Sequence, residues 1–245
     1  MPITVVTIDF WNTLFDSAGG AHRNTARLAA LREAIGGAGL QCEDSLLEES
    51  YKSIWEYFDD HWLNRQRTPT SEEMVREICS RAKVVLDEKS VLDVADTFAR
   101  GVLEHPPALL PGVAEGLEYL AGRADLALIS DTAFSPGSIL RELMESAGIA
   151  RYFGAYIFSD ETGVAKPHPD AFRRALEPFD GRPEQAVHIG DIERTDIRGA
   201  KAAGMKAILY QGDDQPHKYA EEATAADATM AHWRQIDTLF EMLSR

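Results

Sequence analysis

The chain is poor in cysteine: Cys42 and Cys79 are the only two in 245 residues, too far apart for a Cys-x-x-Cys pair. That argues against a disulfide framework and a structural zinc site, and leaves two free thiols. Long apolar runs are missing too. No stretch reaches 18 consecutive apolar residues, and no basic segment leads into an apolar one at the N-terminus. The expectation is a cytoplasmic protein with no membrane partner. Positive charge is also short, with 25 bases against 40 acids for a net charge of -15. A field of that sign repels nucleic-acid phosphates and anionic lipid headgroups. It would equally repel a small phosphorylated molecule, so an anion site must be made locally positive by a lysine, a helix start or a cation. Metal-ligand spacing is absent from His22, His61, His105, His168, His217 and His232, while His188 sits in an apolar run and reads as a core histidine.

What is present is an alternation of two periodicities. The short β-branched run Ile3 to Ile8, ended by Asp9, reads as a buried parallel strand that delivers a carboxylate at its C-terminal edge. Similar runs follow at Leu126 to Ile129, Ala155 to Phe158, Ala186 to Ile189 and Met205 to Tyr210. Between them lie helix-period stripes: Val113, Leu117, Leu120; Ile139, Leu140, Leu143, Met144; Phe172, Ala175, Leu176; Ile197, Ala200, Ala203. Ser135-Pro136 and Pro169 read as helix starts, and Gly148 and Gly204 as helix ends. Five strands alternating with helices predict an α/β fold with a doubly wound, Rossmann-like parallel sheet.

Residues 17–105 break the alternation, with helical patterns and no convincing strand, and are predicted to form an inserted helical cap domain. The α/β core then comprises residues 1–16 and 106–245. Within the cap, Leu28, Leu31 and Ile35 form one stripe, and Leu47, Tyr51, Ile54, Trp55 and Phe58 a second. Box-like starts at Thr70 to Glu73, before Met74, Ile78 and Val85, and at Ser90 to Asp93 announce two more helices, four in all. Trp55, Phe58 and Trp62 read as cap core, with room for one of them to face a cleft. Arg23, Arg27 and Arg32 on the first helix have the placement to project anion ligands, but they are read as exposed helix arginines. Residues from Gln211 to Thr229 read as a loop, before a last amphipathic stripe at Trp233, Ile236, Phe240 and Leu243 that is expected to pack on the sheet.

Four polar segments each follow a strand and so fall along one sheet edge, where open α/β sheets bind ligands. They are Asp9-Phe10-Trp11-Asn12-Thr13-Leu14, Ser130-Asp131-Thr132, Lys166-Pro167 and Gly190-Asp191 through Asp196. In order and spacing they resemble the four motifs of the haloacid dehalogenase-like superfamily, subfamily I, with a helical cap between the first two. The resemblance covers nearly the whole chain. It implies a Mg²⁺-dependent hydrolase acting on a small-molecule phosphate through a covalent adduct on Asp9. Metal ligands would be Asp9, the Trp11 carbonyl and Asp191, with Asp196 either binding the metal or standing behind it. Lys166, Ser130 and the amide following Ser130, at Asp131, would hold the phosphoryl oxygens.

One position departs from the pattern. Phosphatases of this superfamily usually carry an aspartate acid/base two residues after the nucleophile, and Trp11 stands there. An indole N–H donates a hydrogen bond but has no proton to transfer. Dehalogenases have an aromatic tyrosine at that position, but they dispense with Mg²⁺ and lack the acid corresponding to Asp191. Three readings follow: a phosphatase suited to good leaving groups or using another acid such as Asp131, a 2-haloacid dehalogenase, and a non-catalytic binding or regulatory protein on the same fold.

Overall fold

The computed structural model describes residues 1–17, 19–212 and 223–245. Five strands form where the β-branched runs predict them: β1 (Val5–Ile8), β2 (Asp125–Ser130), β3 (Ala155–Phe158), β4 (Ala186–Gly190) and β5 (Lys206–Tyr210). A sixth, β6 (Ala228–Met230), was expected as loop. Three residues at a sheet edge carry too little alternation to stand out. Residues 213–222, which belong to the same predicted loop and include His217, lie outside the described residues. The sheet order is β3-β2-β1-β4-β5-β6 and every pairing is parallel.

The sheet is covered on both faces, as all-parallel sheets require. Helices α6 (Val113–Ala121), α7 (Gly137–Ser146) and α11 (Ile236–Leu243) bury Leu117, Leu140 and Phe240 in the same core as Val6 and Ile8 of β1. After the short α8 (Ser159–Thr162), helices α9 (Pro169–Leu176) and α10 (Arg198–Ala202) place Phe172 and Ala200 on the opposite face, with Val5. The C-terminal stripe therefore packs as expected, and Trp233 is fully buried with its indole N–H donating to the Thr13 carbonyl at 2.7 Å. Pro169 opens α9, but Ser135 caps nothing. The cap of α7 is Pro136, and the Ser135 hydroxyl donates to the Ala99 carbonyl at 2.8 Å.

Between β1 and β2 the chain is helical from Gly20 to Glu104: α1 (Gly20–Gly37), α2 (Asp44–Lys52), α3 (Ile54–Asp59) continued by a wider turn (Asp60–Asn64), α4 (Ser71–Arg81) and α5 (Glu88–Glu104). The second predicted stripe is thus two helices, broken at Ser53, so the insertion has five helices rather than four. The Thr70–Glu73 capping box is present, but α4 ends at Arg81 and leaves Val85 86% exposed. The cap of α5 is Asp87, which accepts from the Ser90 amide, three residues ahead of the expected start. Leu31, Tyr51, Phe58, Ile78 and Phe98 form a core for these helices, which Phe134 and Ala165 from beyond the insertion join. Among the described residues no helix is long and apolar enough to cross a membrane.

Candidate active site

Register brings the predicted residues together. Ile8 pairs with Leu128 of β2 and Ile189 of β4, so the residues after β1, the end of β2 and the end of β4 fall side by side at one sheet edge. Asp9 follows β1 and its amide donates to the Ile189 carbonyl at 2.9 Å. Ser130 closes β2 and Asp191 follows β4. Lys166 reaches them from the loop before α9, where its amide donates to Asp131 Oδ1 at 2.9 Å.

The centre is the Lys166 ammonium, which donates to Asp9 Oδ1 and, at 2.7 Å, to Asp196 Oδ1. Lys166 is only 2% exposed. Burial alone would pull its pKa down, but Asp196, Asp9 and Asp131 outweigh that and push it above the ordinary lysine range. Asp196 is saturated: Oδ1 also takes a hydrogen bond from His188 Nε2 at 3.0 Å, and Oδ2 accepts from the Ile192 amide at 3.0 Å. Burial works against its ionised form, yet Lys166 and His188 hold its carboxyl well below the usual range. His188 is fully buried between Thr7 and Asp196, a core histidine as expected, and burial lowers its pKa.

The other acids go the opposite way. Burial pushes Asp9 up to about 7; Lys166 opposes this, and Asp196 and Asp131 add to it. Asp131 is raised to about 6, again chiefly by burial, although both its oxygens accept hydrogen bonds, from the Lys166 amide and from Trp62 Nε1 at 2.9 Å. Asp191 is raised well above the carboxylate range by burial and by the charges of Asp9 and Asp196. Four carboxylates surround one ammonium, so the site has a deficit of positive charge that protons or a cation must fill. Its donors are all oxygens, which suits a hard divalent ion rather than zinc. No group of three or more His, Cys, Asp or Glu side chains arranged so that it could hold a metal ion by itself is found among the described residues. That is compatible with Mg²⁺, which keeps several waters and takes one or two carboxylates.

Donors for an anion are also present. Ser130 Oγ and Thr13 Oγ1 are buried hydroxyls with no hydrogen-bond partner among the described residues; the amide oxygen of Asn12, an acceptor, is likewise unpaired. A buried hydroxyl left unpaired calls for a missing partner. Asn12, which the sequence reading passed over, takes φ 54° and directs its amide toward Asp191 Oδ2 at 3.4 Å. Asparagine tolerates that left-handed conformation better than most residues, so the turn after Asp9 was its readable signal. Trp11 is half-buried, with its ring edge-on to Phe10 at 4.9 Å between centroids.

Asp9, Trp11, Asn12, Asp131, Lys166 and Asp191 line a cavity of about 360 Å³ beneath the helical insertion, and Ser130 and Thr13 lie outside its lining. Trp55, Phe58 and Trp62 all line it, where one at most was expected to. Arg23 and Arg27 line it too and are each 6% exposed, so the expectation of exposed helix arginines fails for both. It holds for Arg32, which pairs with Asp44 and Glu48 at the surface.

Gly190 closes β4 where the sheet edge packs tightly against Asp196. A Cβ added there would lie 2.4 Å from Asp196 Cγ, so Gly190→Ala must displace the carboxylate that orders Lys166. Overpacking of this kind costs about 2 kcal/mol. Calorimetry should show a Tm several degrees lower, and an unchanged Tm would contradict the packing.

The comparisons agree with this architecture. Residues 3–204 match the family model described as haloacid dehalogenase-like hydrolase. Phosphoserine phosphatase of Thermus thermophilus is 38% identical over 116 residues, 47% of this chain and 45% of that one, so the match spans about half of each. Glyceraldehyde 3-phosphate phosphatase of Methanopyrus kandleri is 32% identical over 84% of this chain and 83% of its own. Among solved structures, 2-haloacid dehalogenase from Pseudomonas syringae pv. Tomato superposes with a TM-score of 0.69 at 24% identity, covering 98% of this chain and 99% of that one, a likeness of fold. With its parallel sheet, its strand-edge acids and a family match over most of its length, the chain belongs to the haloacid dehalogenase-like hydrolases.

Proposed function

We propose that this hydrolase is a Mg²⁺-dependent phosphatase of a small metabolite, with Asp9 as nucleophile and residues 17–105 as a cap domain over the site. The observation that carries the reading is the Lys166 ammonium held between Asp9 and Asp196 amid an excess of carboxylates. The names of the Thermus and Methanopyrus relatives, both phosphatases of small phosphate esters, support it. So does the unpaired hydroxyl of Ser130.

In this reading the ammonium of Lys166 and the Ser130 hydroxyl, with the amide of Asp131, hold the phosphoryl oxygens, and Lys166 aims Asp9 at phosphorus. Asp9 forms an O–P bond as the ester O–P bond breaks and the alcohol departs as its oxyanion, to be protonated by solvent; water then cleaves the aspartyl phosphate to return Asp9 and phosphate. Mg²⁺ would be held by Asp9, Asp191 and the Trp11 carbonyl, where it would neutralise the acids and the incoming phosphate. Asp196, with both oxygens already engaged, serves by fixing Lys166 and not as a ligand.

In this reading the acid missing at Trp11 is not replaced. A proton on Asp131 would compete with the hydrogen bonds from the Lys166 amide and Trp62. General acid catalysis is worth ~10² to 10⁴-fold, so kcat/KM should favour aryl over alkyl phosphates by ~10²-fold or more. Phosphate release measured over a leaving-group series, with Mg²⁺ and with EDTA, is the test. Equal rates would count against the reading. Chloride release from 2-chloropropionate in EDTA would replace it with a dehalogenase, the reading that the aromatic Trp11 favours.

A further inference from the structure

Most arginines of this acidic chain meet an acid at the surface, as Arg67 meets Glu73, Arg76 meets Glu88 and Arg141 meets Glu161. Arg23 and Arg27 do not. They stand four apart on α1, hence on one face of the helix, and both are buried against the cavity that holds Asp9. Their hydrogen bonds go to neutral groups. Arg23 donates to the carbonyls of His105 at 2.9 Å and Ser17 at 3.3 Å, and Arg27 to the Phe98 carbonyl at 3.2 Å and to Asn24 Oδ1 at 3.4 Å. Neither makes an ion pair among the described residues; Asp16 acts on Arg23 only through space. Burial lowers the pKa of both, and the charge of Arg27 lowers Arg23 further.

Two adjacent buried cations with no carboxylate in ion-pair contact are costly. A folded protein keeps such a pair where an anion offsets it, and the guanidinium fork suits carboxylate and phosphoryl oxygens alike. Part of the wall of the same cavity is aromatic. Phe134 lies under Arg27, with 4.3 Å from the guanidinium carbon to the ring centroid, and Trp55 and Phe58 continue the wall. We propose that Arg23 and Arg27 form a second anion subsite, and that the substrate is a phosphate monoester bearing a further carboxylate or phosphoryl group on an apolar body. The proposal rests on the phosphatase reading for one end of the substrate and on the arginine pair for the other.

Binding separates the two. With the Asp9→Asn protein in Mg²⁺, titration calorimetry compares benzyl phosphate, 4-carboxybenzyl phosphate and the bisphosphate of 1,4-benzenedimethanol. At least one doubly anionic ester should bind about 30-fold more tightly than benzyl phosphate, the range for charged hydrogen bonds. Whether the carboxylate or the bisphosphate gains more identifies the anion. Adding Arg23→Gln or Arg27→Gln should cut that ratio below ~5-fold, whereas a purely structural role would weaken all three esters and leave the ratio intact. A ratio near one in the parent, a ratio intact in both variants, or no saturable binding of either doubly anionic ester overturns the subsite. Phosphate release from these esters by the unsubstituted protein tests the phosphatase reading separately.

Discussion

Asp9→Asn should lower phosphate release by at least ~10⁴-fold, the scale on which covalent catalysts lose rate when the nucleophile is removed. A carboxamide oxygen is too weak a nucleophile to form the adduct, yet it still accepts a hydrogen bond, so Lys166 keeps a partner at position 9. Folding and chemistry therefore separate. Burial holds Asp9 up at about 7, which means that ionising it at pH 8 works against the folded state. A neutral side chain of the same shape removes that penalty, and the metal-free Tm at pH 8 should stay level or rise. The measurements are phosphate release under saturating Mg²⁺ and calorimetric Tm in EDTA, made on the same preparation. Activity within tenfold of the parent would remove Asp9 as nucleophile. A large fall in Tm would instead make the carboxylate a structural group. In the parent, fluoroberyllate should mimic the phosphorylated aspartate and protect the protein, and in Asp9→Asn it should not.

The part of the site legible in the sequence is the part that strand ends supply. Asp9, Ser130 and Asp191 follow β-branched runs, and parallel register does the rest by aligning β2, β1 and β4. Lys166 was legible through its place in the motif order, although nothing local says that its ammonium spans Asp9 and Asp196. What could not be read were side chains whose environment is made by remote segments. Arg27 looks like any helix arginine until Phe98, 71 residues away, offers its carbonyl and Phe134 its ring. Trp62 likewise finds Asp131 across 69 residues. Local signals misled where two were in competition. The apolar period runs on through Ser53, so one helix was expected where the backbone breaks, and Ser90 resembled a helix start although Asp87 had already capped α5. The short edge strand β6 has the opposite fault, a tertiary pairing with β5 and almost no pattern of its own.

Magnesium should stabilise the protein strongly at pH 8 and hardly at pH 5. In the metal-free fold Asp9 is raised to about 7 and Asp131 to about 6, both chiefly by burial, and Asp191 is raised as well. A raised carboxyl binds a proton in the folded chain at a pH where the unfolded chain has released it. Its contribution is therefore lost as pH climbs from the unfolded value near 3.8 through the folded one, and these acids erode stability between about pH 4 and 7. Asp196 has the opposite sign: its pKa is depressed, its contribution is complete above the ordinary carboxylate range, and it vanishes only in acid. It thus adds no slope between pH 5 and 8. A cation bound by Asp9 and Asp191 must displace their protons at pH 5, whereas at pH 8 Asp9 has lost its own and the cation relieves the remaining repulsion. At a free concentration 100-fold above Kd, binding adds ~2.7 kcal/mol. For a chain of this size that raises Tm by roughly 5 to 10 °C. Calorimetry with and without 10 mM Mg²⁺ (about 100 Kd if Kd is ~0.1 mM) at the two pH values decides the matter. Equal shifts at both would mean that the ion binds without Asp9 and Asp191. In Asp191→Asn the shift at pH 8 should shrink by more than half, because one of the two carboxylates that would hold the ion has gone and its affinity falls with the charge of the ligand set.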